Sequence, residues 1–210
     1  MTEAVELRGV PFGLETLPEG WFSKTQISAL YQLALRTDGP ILEVGSWIGR
    51  STTVIGHALR ARKDIVEFHT VDYGISSLDE WSERFGSSLL KKPNAERYLP
   101  HVMREGGSLS SLRENLAARG MLDLVEIHKG DFHDVAPSLQ YGLIFCDATH
   151  NRREIDTNVP ALIALLKRGG VLACDDISDD LYDYMISKFS FKWHHRAALL
   201  FYGEPETRTA

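Results

Sequence analysis

Apolar residues in this chain come in short unbroken runs, separated by stretches where they recur every three or four positions. The runs at Pro40–Val44, Ile65–Asp72, Leu124–His128, Tyr141–Asp147 and Gly170–Asp175 read as strands. Runs such as "YGLIFCD" and "GGVLACD" do not alternate with polar residues. Such strands are buried on both faces, as in a parallel sheet covered by helices. The stretches Ser51–Arg62, Leu109–Arg119, Arg153–Leu166 and Ile177–Phe189 have the helical period. Ahead of them, "SKTQISALYQLALR" predicts an amphipathic helix with Ile27, Leu30, Tyr31 and Ala34 on one face. Ser23 and Gln26 stand at capping-box spacing. Two last runs, "FKWHH" and "AALLFYG", lie almost end to end and predict an antiparallel hairpin on the sheet edge. The expected fold is α/β, a doubly wound, seven-stranded, mostly parallel sheet with an antiparallel C-terminal edge hairpin.

Two segments fall outside this rhythm. Residues 1–20 read as an irregular arm, and 73–107 are too long for an ordinary connection. Within the latter, "SLDEWSERF" predicts a short helix with Leu78, Trp81 and Phe85 on one side. An insertion beside a ligand site serves as a lid or substrate wall. The whole of 1–210 is otherwise expected to form one domain. The arm can exchange between subunits of a homo-oligomer or fold back over its own site, and the sequence leaves both open.

With 43% hydrophobic and 25% charged residues the composition is that of an ordinary globular protein. "VPALIALL" is too short to span a bilayer, and the first residues lack a signal-peptide pattern, so a cytoplasmic protein without membrane contact is expected. A net charge of −6 with scattered basic groups argues against a nucleic-acid partner. Cys146 and Cys174 sit inside apolar runs and are expected as reduced core residues.

The chemistry begins at "ILEVGSWIGRS", a strand, a glycine turn and a helix. A dinucleotide site would need a second glycine where Trp47 stands. A P-loop would need four residues between its glycines and then a lysine, against three residues and Arg50-Ser51 here. The remaining candidate is a ligand without phosphate. Glu43 precedes the turn, Asp72 ends the next strand, and Asp131 follows the third. A carboxylate at the second strand's end suits ribose hydroxyls, and the others suit an ammonium group and an adenine amine. Amino acid, ribose and adenine together describe S-adenosylmethionine (SAM).

In "ILEVGSWIGRST", "HTVD", "VEIHKGDFHD", "LIFCDATHNRREIDTN" and "LLKRGGVLACDD" the chain resembles the class I SAM-dependent methyltransferases, and within them the small O-methyltransferase-like methyltransferase family 24, over roughly Trp21 to Gly203. The resemblance implies a Rossmann-like fold. It also implies cofactor contacts at Glu43, Gly45, Ser46, Gly49, Ser51, Asp72, Asp131 and Phe132.

Asp147, Asp175 and Asp176 end neighbouring strands if the sheet is wound as expected, and carboxylates alone favour Mg²⁺ or another hard divalent cation. Related O-methyltransferases hold a metal there, where it acidifies the acceptor hydroxyl. Such relatives often read Asp-Gly-Asp-His where this chain has Asp147-Ala148-Thr149-His150, so Thr149 replaces one carboxylate. His150 is the expected general base, with Asp147 as its catalytic companion. The expectation is O-methylation of a small-molecule hydroxyl, on a sugar, a phenol or a natural-product intermediate. A metal-independent N-methyltransferase and a non-catalytic SAM-binding module are the competing readings.

Overall fold

The computed structural model describes residues 9–206. Its first helix, α1 (Lys24–Arg36), opens on the capping box that the sequence announces. The Ser23 hydroxyl accepts from the Gln26 amide at 3.4 Å, and Gln26 Oε1 accepts from the Ser23 amide at 3.0 Å. Such a cap contributes about 1 kcal/mol. The chain then alternates: β1 (Ile41–Val44), α2 (Arg50–Ala61), β2 (Phe68–Asp72). Next come α3 (Leu78–Phe85), α4 (Ala95–Val102), α5 (Gly107–Ala117), β3 (Glu126–Lys129) and the single turn α6 (Phe132–Val135). It closes with β4 (Tyr141–Cys146), α7 (Arg152–Leu165), β5 (Leu166–Cys174), α8 (Asp179–Lys188), β6 (Phe191–Ala197) and β7 (Leu200–Pro205).

The seven strands form one sheet in the order β3-β2-β1-β4-β5-β7-β6. The first five are parallel; β7 runs antiparallel to β5 and β6 antiparallel to β7. The edge hairpin and the doubly wound sheet are therefore as the hydrophobic pattern predicts. Side chains alternate across the sheet. Ile41, Leu143, Phe145 and Ala173 join the core with α1 and α2. Leu42, Val44, Ile144, Leu172 and Cys174 join the core with α7 and α8. Cys146 and Cys174 face each other in register, buried and free.

Several strand boundaries differ from the sequence reading; the larger shifts inside the parallel part of the sheet are three. The apolar run places Ile65 at the start of the second strand, yet Ile65 is fully exposed and pairing begins at Phe68. Leu124 belongs to a 3-10 turn, so the third strand starts at Glu126. The fifth strand starts at Leu166 rather than Gly170, because Leu166 pairs with Tyr141 across a register shift.

Residues 73–107 hold α3, a 3-10 turn and α4. They have a core of their own, formed by Ile75, Trp81, Leu89 and Val102, against which Trp47 from the loop after β1 also packs. The first eight residues of the expected arm lie outside the described residues. The rest of the arm folds back on its own chain. Phe12 stacks on His57 with ring centroids 4.1 Å apart, Arg50 donates to the Pro18 carbonyl at 2.7 Å, and Trp21, just beyond the arm, stacks on Tyr98 at 5.0 Å. Among the described residues no helix is long and apolar enough to cross a membrane.

Candidate functional site

In an open α/β sheet the crevice lies beyond the carboxyl ends of the strands, where the winding reverses. Here that point lies between β1 and β4. The loop leaving β1 needs glycine at two places: Gly45 and Gly49 have φ of +86° and +98°. Trp47 shares the left-handed region at φ +48°, an uncommon conformation for a bulky residue. Its ring is retained by Trp81, Tyr98 and His101.

Carboxylates brace this loop from behind. Glu43 is fully buried; its two oxygens accept from Ser51 Oγ and Thr52 Oγ1, each at 2.6 Å. Burial pushes its pKa up to about 7. Asp72 Oδ2 accepts from the amides of Ser46 and Trp47 at 3.0 and 2.9 Å, and Oδ1 accepts from the Gly74 amide at 2.8 Å. Enclosure raises the Asp72 pKa, opposed by those three amides. A carboxylate has about four lone-pair sites, so about one remains for a ligand hydroxyl. The Ser46 hydroxyl is buried and has no hydrogen-bond partner among the described residues. Asp131 caps α6 through the His133 amide at 3.0 Å and accepts from the Tyr73 hydroxyl at 3.0 Å. Phe132 is buried in the α7–α8 core.

On the other side of the switch point lies a second group. Asp147 Oδ1 stands 3.3 Å from His150 Nε2, and Asp176 Oδ2 stands 3.7 Å from the same nitrogen. The other ring nitrogen, Nδ1, is 3.1 Å from Glu154 Oε2, which also accepts from the His150 amide at 2.7 Å. The bond to Asp147, with the surrounding acids, raises the His150 pKa to about 9 against the cost of burial. An imidazole so held is protonated at neutral pH and has no lone pair for an acceptor's proton. Asp147, His150 and Asp176 each present one donor atom within 4.8 Å of the others.

Asp175 does not join them. Its carboxylate is buried and accepts from the Gln26 amide group on α1; burial and nearby Asp147 raise its pKa to about 7. Asp176, next in the chain, takes φ +57°. Thr149 is also buried, with Oγ1 3.4 Å from the Asp175 carbonyl oxygen, so it ties two strand-end loops together and does not face the cluster. Asn158 holds the same loop by donating to the Ala148 carbonyl at 2.6 Å.

The two groups abut. A Cβ on Gly45 would lie 3.0 Å from the carbonyl oxygen and 3.3 Å from the Cβ of Asp147. Glu154, Gln26 and Tyr73 are among the partners that the sequence reading does not name. Glu154 carries a visible signal, four residues beyond His150 at the start of a helix. Gln26 and Tyr73 carry none, because each meets its acid only through the fold.

A family described as "Methyltransferase domain" matches residues 42–177. Cofactor-bound Rv0187 from MTB is 17% identical, with 91% of this chain and 84% of that chain covered and a TM-score of 0.59. The O-methyltransferase TomG from Streptomyces achromogenes, solved in complex with SAM, is 18% identical over 91% and 84%, with a TM-score of 0.56. The SAH-bound methyltransferase PaMTH1 from Podospora anserina is 15% identical over 92% and 81%, with a TM-score of 0.53. At these identities the likeness is one of fold. No curated protein matches the chain in sequence.

Proposed function

The chain belongs to this methyltransferase family, and with it to the class I SAM-dependent methyltransferases; from that premise we propose that it methylates a hydroxyl of a small molecule, assisted by a divalent cation. The observation that carries this is the convergence of Asp147, His150 and Asp176 directly beside Gly45. Acceptor and methyl group would meet where these groups adjoin, and holding both in line can contribute several kcal/mol, on the order of 7 or more.

On the cofactor side, the Ser46 hydroxyl, without a partner among the described residues, and the free lone-pair capacity of Asp72 and Asp131 fit a ligand with hydroxyls and amines. Glu43 and Ser51 bond each other and act from behind by shaping the loop. Gly45 and Gly49 take the left-handed backbone that the loop needs, and Phe132 supports α6 from the core.

On the acceptor side, two carboxylates and an imidazole, with Glu154 orienting the imidazole, are a donor set that suits a divalent ion. Asp147, Asp176 and His150 would hold it, with Asp175 behind them on Gln26. The ion would lower the acceptor hydroxyl's pKa so that its oxyanion is available at neutral pH. His150 would bind the ion through Nε2 in place of its proton, with Nδ1 kept on Glu154 and Asp147 beside it, and the acceptor's proton would leave to water. The aromatic group of Trp47 with Trp81 and Tyr98 of residues 73–107, and Trp21 just after the arm, fits the wall of a sugar or phenol site, and the insertion acts as its lid within a single methyltransferase domain.

The test is calorimetric titration with S-adenosylhomocysteine, then methyl transfer to a panel of sugars, phenols and amines with Mg²⁺ or with excess EDTA. Micromolar or tighter binding and EDTA-sensitive transfer to hydroxyls support the proposal. Full activity on amines in EDTA would move the reading to nitrogen, and tight binding with no transfer to any acceptor would move it to a binding module. A folded sample that binds nothing would overturn the whole account.

A further inference from the structure

At the far side of the sheet, the first residues of β2 and β3 carry a pattern that methyl transfer does not use. The chain reads Glu67-Phe68-His69 leading into β2 and Glu126-Ile127-His128 in β3. Residues two apart on a strand share a face. The parallel register sets His69 opposite Glu126, so the two triplets are staggered and both imidazoles meet on one face.

Their geometry is that of ligands around a common centre. His69 Nδ1 lies 3.1 Å from His128 Nε2. The two oxygens of Glu126 reach one imidazole each, Oε2 at 3.6 Å from His69 Nδ1 and Oε1 at 3.7 Å from His128 Nε2. Those last two distances exceed a hydrogen bond. Tetrahedral ligands on Zn²⁺, each about 2.0–2.1 Å from the ion, stand roughly 3.3–3.5 Å apart. The second nitrogen of His69, Nε2, faces Glu67 Oε2 at 3.5 Å, the place of an outer carboxylate that orients a ligating imidazole. His69 is buried against the Tyr141 ring, whereas Glu126 is largely exposed on an edge strand, so the ring is fixed and the approach is open.

We propose that His69, Glu126 and His128 form a transition-metal site that takes Zn²⁺ or a similar first-row divalent ion, oriented by Glu67 and pinning the edge strand β3 to β2. Two imidazoles with one carboxylate select such ions over Mg²⁺ and Ca²⁺. The site is separate from the strand ends where methyl transfer is proposed: His69 precedes Asp72 by three strand residues, about 10 Å along β2.

The full-length chain carrying Asp147→Asn and Asp176→Asn, which removes the competing carboxylates, is stripped with EDTA and titrated with Zn²⁺ by calorimetry, and with Co²⁺ by absorption. The expected result is one equivalent of Zn²⁺ and the intense visible bands of tetrahedral Co²⁺. Added His128→Ala should weaken Zn²⁺ binding at least a hundredfold, and Glu67→Gln should weaken it about tenfold to a hundredfold. Glu126→Gln, an isosteric change at an exposed position, guards against loss of folding in the alanine variant and should also weaken binding. Unchanged Zn²⁺ affinity in folded His128→Ala and Glu126→Gln, or no binding by the folded parent, would overturn the proposal.

Discussion

The Asp72 carboxylate and the Trp47 amide are 2.9 Å apart, and through that bond the end of one strand sets the conformation of the loop leaving its neighbour. Trp47 stays in the left-handed region because Asp72 holds its amide, and the amide of Ser46, while Trp81 and Tyr98 hold its ring.

Asp72→Ala should therefore release the loop as well as remove a ligand contact. Hydrogen bonds to a charged group contribute about 1.5–3 kcal/mol each. S-adenosylhomocysteine affinity should fall at least a hundredfold by calorimetry, with a lower Tm in the same sample. Unchanged affinity would show that the loop is held without Asp72.

Asp147→Asn should separate chemistry from cofactor binding. Turnover should fall by more than a hundredfold while S-adenosylhomocysteine affinity stays within a few-fold. The same change should lower the His150 pKa from about 9 toward its ordinary 6.5, read by NMR titration of the ring. The raised folded pKa means that the pair's contribution to stability is fully present below about 6.5 and is lost as pH rises through about 9. The pair is half exposed, so solvent reduces the size of this contribution. In Asp147→Asn that alkaline loss of stability should shrink.

Glu43 gives a different dependence, set by burial rather than by a partner. Its folded pKa of about 7 lies above the ordinary 4.5. Between those values the folded state binds more protons than the unfolded one, so this group's effect is to lower stability as pH rises from 4.5 to 7, with no further change above. Denaturant midpoints of Glu43→Gln against pH should show a smaller slope, with the share from Asp175, also raised to about 7, remaining. An identical slope in the variant would assign it to another acid.

Thr149→Asp tests what the threonine does. Placing an acid there would bury a charge where Oγ1 now bonds the Asp175 carbonyl. The expected outcome is a loss of about 2–4 kcal/mol of stability with no gain in Mg²⁺ dependence. A stable variant with stronger Mg²⁺ dependence would show that this position faces the cluster after all.

The parallel sheet and its edge hairpin are legible in the sequence because burial on both faces leaves continuous apolar runs, and the Ser23–Gln26 box because capping is local. Ile65 misleads because an apolar side chain next to a strand need not be buried. The acids are legible as strand-end residues, but their engagements are not. Asp175 looks like a twin of Asp176 in sequence, and only the packing of α1 against the sheet turns it to Gln26. The Glu-x-His triplets carry no local signal, since only the register of β2 against β3 brings them together.

The small core beneath residues 73–107 has Ile75, Trp81, Leu89 and Val102 as its buried members, none of which belongs to the two cores flanking the sheet. Changes in this cover are absorbed locally, while the strands beneath keep their own packing. Substitutions within this segment can thus repack it without first re-solving how the sheet folds, with Trp47 as the joint at which the segment meets the loop after β1.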